Sequence, residues 1–345
     1  MRIVVAMSGG VDSSVVAGLM HAAGHEVIGV TLQLYDHGAA SGRKGACCAG
    51  QDIHDARNVA DRLGIAHYVI DAEAAFRKSV IGDFADSYAA GKTPVPCVRC
   101  NQHLKFGDLL DLARDLGAEA LATGHYVRRE EGKLGPELHR AADEARDQSW
   151  FLFATTREQL EFARFPLGAM PDKTEVRAEA ARMGLQVADK PDSQDICFVP
   201  SGSYADIVAR LRPDAVFPGE IVDDAGTVLG EHQGIARYTV GQGKRLGAAS
   251  GQVVTRIDAE RRRIVVGPRG AGTRLVRFGE PNWLIDRPDT PFRATVRLRA
   301  RDTPHPAEID AAQGVVTLDE AALAAPGQAC VIYDGTRVLG GGFIT

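Results

Sequence analysis

Apolar and polar positions follow two alternating periods along the first 125 residues. Runs of β-type residues at Ile3 to Met7, Val27 to Leu32, His67 to Ile70 and Ala118 to Thr123 are separated by stretches with helical spacing near 13–23, 51–63, 73–90 and 102–116. Three of these helices run into a glycine, Gly24, Gly64 and Gly117, and a strand starts two or three residues later. Glycine in that place ends a helix by taking the left-handed conformation. Strand and helix in alternation predict an α/β fold, a parallel sheet with helices on both faces, whose ligands bind outside the carboxyl ends of the strands. Asp172 with Glu175 has the spacing of a capping box and predicts a further helix running to Gly184.

After about residue 205 helical periodicity fades and short strands bounded by turns take over, as in Glu220 to Asp223 and Thr227 to Gly230 around Asp224-Ala225-Gly226. Asp334-Gly335 is a hairpin signal between Ala329 to Tyr333 and Thr336 to Leu339. The Gly/Pro-rich stretch at 267–272 marks a boundary. The expected division is a catalytic domain over 1–205, a small central module over 206–270 and a β-barrel domain over 271–345. Within the last, Phe292 to Arg301 alternates strictly. As a strand it would put Arg293, Arg297, Arg299 and Arg301 on one face, open to phosphate or to solvent, and Ala294, Val296, Leu298 and Ala300 on the other.

Composition narrows the class. A chain of 345 residues with 45% apolar residues has ample material for two or three packed cores. No segment approaches the ~20 apolar residues of a membrane span, and the run from Ile3 breaks into Ser-Gly-Gly before a secretory h-region can form, so a cytoplasmic location is expected. The formal charge of −5 confines any nucleic-acid site to a local patch. Arg128-Arg129 and Arg261-Arg262-Arg263 are basic clusters, the latter beside a predicted hairpin. Arg99 and Lys105 lie near the cysteines and suit an anionic substrate better. Six cysteines without a secretory signal read as thiols, ligands or core residues, not as a disulfide framework.

The strand at Ile3 to Met7 leads into Ser8-Gly9-Gly10-Val11-Asp12-Ser13-Ser14 and then into a helix. The first amides of a helix lack intrahelical partners and sit at the positive end of its dipole. Gly9 and Gly10 clear side chains from that backbone, and three serines add hydroxyl donors. The combination reads as a phosphate cradle rather than an ordinary tight turn between strand and helix, though not as a Walker A loop, which needs lysine followed by Ser or Thr. SGGVDSS resembles the PP-loop of ATP pyrophosphatases, a class that adenylates carbonyl oxygens. The loop alone does not choose among its members.

A second motif is Thr93-Pro94-Val95-Pro96-Cys97-Val98-Arg99-Cys100-Asn101. The prolines predict an extended chain, and Asn101 predicts the N-cap of the next helix, placing both thiols just ahead of a helix N-terminus. There a thiolate is stabilised and its pKa can fall from about 8.5 to as low as ~3.5, which makes Cys100 a nucleophile candidate. Cys97, Cys100 and Cys197 could also supply three ligands to a catalytic or cluster metal. Cys47 and Cys48 lie in a loop with no assigned chemistry, and Cys330 in a predicted strand reads as a buried apolar residue.

These blocks, with ATGHY at Ala122 to Tyr126, DQSWFL at Asp147 to Leu152, DSQDICFV at Asp192 to Val199 and GEHQGIARYTVGQ at Gly230 to Gln242, together resemble the bacterial tRNA 2-thiouridylase family over most of the chain. The resemblance implies that ATP adenylates the C2 oxygen of the wobble uridine of certain tRNAs. A persulfide on Cys197, loaded by an upstream protein of a sulfur relay, then attacks the activated carbon, and Cys100 resolves the persulfide. It further implies an ATP site, with Mg²⁺, at Ala6, Met7, Ser8, Gly9, Gly10, Val11, Asp12, Ser13, Leu32 and Gly124. Contacts to tRNA fall at Val95, Pro96, Cys97, His125, Arg146, Asp147, Gln148 and Arg299.

The sequence departs from the family twice. Several members carry Asp where this chain has Cys97, and this third thiol supports a rival scheme in which Cys97, Cys100 and Cys197 hold a [4Fe-4S] cluster that delivers sulfide. Gly241-Gln242-Gly243-Lys244-Arg245-Leu246-Gly247 replaces the family's more usual GQRKGLG, so no contact is assigned to Lys244 or Arg245. Two other functions compete: a different PP-loop ligase, disfavoured by the three thiols and by the lack of an evident glutaminase region, and a nucleotide-binding redox or iron-sulfur sensor.

Overall fold

A computed structural model of the chain describes residues 1–35, 48–192, 196–199, 203–249 and 251–345. By contacts they form two units, Met1–Ser79 with Val98–Gln194 and Thr336–Val338, and Val80–Cys97 with Asp195–Gly335 and Leu339–Thr345. No helix among the described residues is long and apolar enough to cross a membrane.

The first unit is built on a five-stranded sheet. Its strands are β1 (Arg2–Ala6), β2 (Glu26–Gln33), β3 (Ala66–Asp71), β4 (Ala120–Ala122) and, after an antiparallel hairpin of β5 (Val127–Gly132) and β6 (Gly135–Arg140), β7 (Ala163–Arg164). The order is β3-β2-β1-β4-β7 and every pairing is parallel. In register Ala6 lies opposite Val30 on one side, and Val5 opposite Ala122 on the other. The carboxyl ends of β2, β1 and β4 therefore open side by side.

The predicted helices are present, and Gly24, Gly64, Gly117 and Gly184 all follow them with positive φ. Helix Val11–Ala22 buries Val11, Val15, Val16 and Ala17 in a core with Ile3, Val5 and Met7 of the β1 region, Ala56 and Val59 of helix Cys48–Leu63, and Val176 and Ala180 of helix Lys173–Arg182. A Cβ on Gly18 would come within 2.2 Å of Met183 Sδ, so the glycine makes room for that side chain.

Two β systems lie in the second unit, apart from the start of the last strand. Strands β8 (Gly219–Asp223), β9 (Val228–His232), β10 (Val253–Asp258) and β11 (Arg263–Gly267) form a sheet in the order β10-β11-β8-β9. Strands β12 (Thr273–Trp283), β13 (Phe292–Arg297), β14 (His305–Asp310), β15 (Val315–Ala322), β16 (Ala329–Asp334) and β17 (Arg337–Ile344) run in the order β12-β15-β14-β13-β16-β17, and pairing of β12 with β17 closes the barrel. Closure removes the edges an open sheet would expose. Cys330 lies in the barrel core, where burial pushes its thiol pKa up to about 12, as expected of an inert apolar residue.

Two expectations need correction here. Helical structure does not stop at 205: helix Tyr204–Leu211 follows, opened by a capping box of Ser203 and Asp206, with Tyr204 stacked 5.2 Å from Tyr88. The arginine row also fails to form one basic face. β13 ends at Arg297, and the chain turns where Leu298 N donates to Asp302 Oδ2 at 3.3 Å. Arg293 is held by Asp319 through hydrogen bonds of 2.8 and 2.5 Å. Arg297 is 7% exposed, with its guanidinium 5.6 Å from the Tyr333 ring centre. Strand alternation gives the side of the sheet but not what covers that side. Arg297→Ala should therefore lower stability by about 2 kcal/mol, through lost packing and burial, and raise no signal in the salt dependence of nucleic-acid binding; denaturant melts and a salt titration check both.

Candidate active site

The loop after β1 is shaped by steric necessity. Gly9 has φ 77°, and a Cβ there would sit 2.1 Å from the backbone oxygen of Asp52. Lys190 ties the same place together, donating to Gly9 O at 2.9 Å, Asp52 Oδ1 at 2.7 Å and Asp55 Oδ2 at 2.5 Å. Burial works against the lysine's charge, but the hydrogen bonds to Asp52 and Asp55 outweigh it and raise its pKa. Gly10 precedes helix Val11–Ala22 with no side-chain cap, which leaves the first-turn amides for a ligand. Ser13 Oγ accepts from Ser8 N at 3.1 Å, and Ser14 Oγ donates to Gly10 O at 2.8 Å, so these hydroxyls brace the turn.

Parallel register brings the other expected nucleotide residues to the same end of the sheet. Half-buried Leu32 lies near the carboxyl end of β2, and Gly124 follows β4. A Cβ on Gly124 would lie 3.1 Å from both Asp12 Cβ and Ser13 N, so this glycine is a close approach to the loop. Ala6 and Met7, the latter 1% exposed, form the floor.

Asp12 sits in a charged cluster that sequence reading missed. Tyr126 OH and Lys173 Nζ both donate to Asp12 Oδ1 at 2.6 Å. Lys173 also pairs with Asp192 at 2.9 Å, and Arg146 reaches the other oxygen of Asp192 at 2.7 Å. Burial raises the Asp192 pKa, but hydrogen bonds from Lys173 and Arg146 prevail and lower it. Burial, then the bond to Asp12, raises that of Tyr126. Tyr126 and Asp192 stood in quoted motifs, whereas Lys173 carried no signal beyond following an N-cap.

His125 Nδ1 is 2.8 Å from Thr123 Oγ1, and Nε2 is 3.4 Å from Lys105 Nζ. Burial first, and then the Lys105 ammonium, hold its pKa well below the ordinary value. Of the neighbouring expected tRNA contacts, Asp147 is turned inward: its side chain is 1% exposed and accepts from Ala141 N, Ser149 N, Ser149 Oγ and Arg140 Nε. Gln148 Oε1 accepts from Tyr126 N at 2.8 Å. Val95 and Pro96 are buried. Arg299, in the second unit, is half-buried, and its Nη2 has no hydrogen-bond partner among the described residues.

The thiols correct one expectation. Asn101 does not cap a helix; Pro96–Cys100 is already helical, and Asn101–Asp108 continues as π-helix into Leu109–Asp115. Proline fits a first helical position, where its missing N–H is no loss. Asn101 is buried instead and its side-chain amide donates to Phe151 O at 3.1 Å. The dipole argument thus moves from Cys100 towards Cys97. Cys97 and Cys197 are exposed and Cys100 is buried. Cys97 and Cys197 belong to the second unit, and Cys100 to the first. Among the described residues no three His, Cys, Asp or Glu side chains are grouped as a metal site. Cys47 and Ser193 to Asp195 lie outside the described residues.

Gly9→Ala should cost roughly 2 kcal/mol or more, since it combines a strained φ with a backbone clash, and calorimetry will read this as a lowered melting temperature. His125 predicts a pH effect. Because its folded pKa is depressed, the unfolded chain binds more protons below about pH 6.5, and stability falls as pH drops through that window. His125→Gln should flatten this part of the stability profile, measured by denaturant melts from pH 7 downwards.

Three family models match the chain in succession: a tRNA methyl transferase HUP domain over residues 1–201, a tRNA methyl transferase PRC-barrel domain over 205–268, and an aminomethyltransferase beta-barrel domain over 273–344. A protein of Acidiphilium cryptum is 83% identical over 344 residues, covering 100% of both chains. One of Gluconobacter oxydans is 63% identical, covering 100% of this chain and 99% of its own, and one of Paracoccus denitrificans is 57% identical, covering 100% and 91%. Each carries the name tRNA-specific 2-thiouridylase MnmA. With such identity sustained from end to end, and with the loop, glycines and thiols in place, the chain belongs to the tRNA-specific 2-thiouridylase family.

Proposed function

We propose that the chain is an ATP-dependent tRNA sulfurtransferase that converts the wobble uridine to 2-thiouridine. The observation that carries this reading is the uncapped helix N-terminus behind Gly9 and Gly10, at the carboxyl end of a central parallel strand. Ala6 to Ser13, with Leu32 and Gly124, form the ATP site, and Asp12 offers a hard oxygen ligand of the kind Mg²⁺ prefers. The domains act as catalytic (1–205), central tRNA-binding (206–270) and barrel (271–345) segments.

Uracil O2 is a poor leaving group. It attacks the α-phosphate of ATP and pyrophosphate departs, which turns O2 into part of an AMP ester. The terminal sulfur of a Cys197 persulfide attacks C2, and AMP leaves with O2. The Cys100 thiolate then attacks Cys197 Sγ; the S–S bond of the persulfide breaks, its outer sulfur stays on C2, and a Cys100–Cys197 disulfide remains for a cellular dithiol to reduce. An upstream sulfur-relay protein reloads Cys197. Contacts to tRNA involve Val95, Pro96, Cys97, His125, Arg146, Asp147, Gln148 and Arg299, with Arg146 supplying charge and Asp147 holding the turn.

The family models name methyl transfer and the relatives thiolation; an adenylating loop and three thiols favour sulfur. Cys97 supports a second route, a [4Fe-4S] cluster on Cys97, Cys100 and Cys197. In a reconstitution with ATP, Mg²⁺, tRNA and a persulfide donor, Cys197→Ser should reduce 2-thiouridine formation roughly 100-fold or more while tRNA-dependent pyrophosphate release persists. Undiminished thiolation by this variant would sink the persulfide reading. Full-rate thiolation by anaerobically purified, iron-free protein would exclude the cluster, and an iron requirement would replace the persulfide route.

A further inference from the structure

We propose that Tyr126, acting with Lys173, is a positioning residue of the nucleotide site: the pair holds Asp12 by one carboxylate oxygen and so keeps the other, Oδ2, for the Mg²⁺ of bound Mg-ATP. This rests on the reading of the loop as an ATP site.

The geometry is a clamp. Both donors take Oδ1, each at 2.6 Å, whereas Oδ2 accepts no hydrogen bond among the described residues. Asp12 nonetheless keeps 30% of its side chain exposed. A Cβ at Gly124 would stand 3.1 Å from Asp12 Cβ, so glycine at this position leaves the Asp12 side chain its place.

The donors are themselves fixed. Tyr126 is 3% exposed, its backbone N–H is bound by Gln148 Oε1, and Lys173 Nζ lies 5.8 Å from the centre of its ring. Lys173 is held from the far side by Asp192, which Arg146 and Arg177 grip in turn. Mg²⁺ demands near-ideal octahedral geometry, so a ligand oxygen set in advance binds it better than one that must first be ordered.

The two donors differ electrostatically. Lys173 beside Asp12 weakens the carboxylate's attraction for a cation, so Lys173→Met mixes lost orientation with relieved repulsion and leaves two carboxylates without their ammonium. Tyr126→Phe removes only the hydroxyl and keeps the ring, so it isolates positioning.

The test is calorimetric binding of a non-hydrolysable ATP analogue to the full chain, with EDTA and across a Mg²⁺ titration, beside a thermal melt. Tyr126→Phe should leave the metal-free affinity unchanged and raise the Mg²⁺ concentration for half-maximal enhancement roughly 10-fold, the worth of one charge-assisted hydrogen bond. An unaltered Mg²⁺ dependence overturns the clamp. So does a loss of metal-free affinity as large as the metal-dependent loss, because it marks a merely structural role. Absence of any analogue binding by the native chain instead overturns the ATP reading itself, and Asp12→Asn with full Mg²⁺ enhancement overturns the assignment of Asp12 as the ligand.

Discussion

The first unit depends on a lysine buried between two carboxylates. Lys173 is 8% exposed and binds Asp12 of the phosphate loop and Asp192 of the segment that leads to Cys197. Removing an ammonium and two carboxylates from water is costly, and such a group is a weak source of net stability even with good geometry. Its value lies in fixing position. Helix Lys173–Arg182 must dock on helix Val11–Ala22 for the ammonium to arrive, and Val176 and Ala180 share a core with Val15 and Val16. Packing in the core thus places charge at the rim.

A second lysine plays the same part on the opposite side of the loop. Lys190 joins the Gly9 carbonyl to Asp52 and Asp55 of helix Cys48–Leu63, whose backbone occupies the space a Gly9 side chain would need. The loop is held by cations bound to its carbonyl and carboxylate groups, while no side chain caps the helix start that follows it. This division suits a phosphate cradle: the braces pull on oxygens and leave the donors for the anion.

Much of the architecture was legible in sequence because it is local. Helix-terminating glycines at 24, 64, 117 and 184 take positive φ, and apolar runs became the strands of a parallel sheet. Where reading failed, a local rule met a tertiary one. Asn101 is a good cap by type, but Pro96 had already opened the helix and Phe151 gave the amide a buried partner. Arginines at alternate positions of β13 suggested a phosphate-facing row, yet Asp319 and Tyr333, distant in sequence, take Arg293 and Arg297. Asp147 stood in a recognisable motif, but only the folded chain turns its carboxylate onto its own backbone and Arg140.

By itself the sequence determined the fold class, the glycine loop after β1 and the family. Each of these rests on residues close together in the chain or on motifs in fixed order. Tertiary structure alone decided which cations brace the loop, that His125 stands beside Lys105, and that Tyr126 and Lys173 share one oxygen of Asp12. Those contacts join residues as many as 181 positions apart, as between Gly9 and Lys190. No spacing or periodicity encodes them, because they follow from the order of strands in the sheet and the packing of helices upon it.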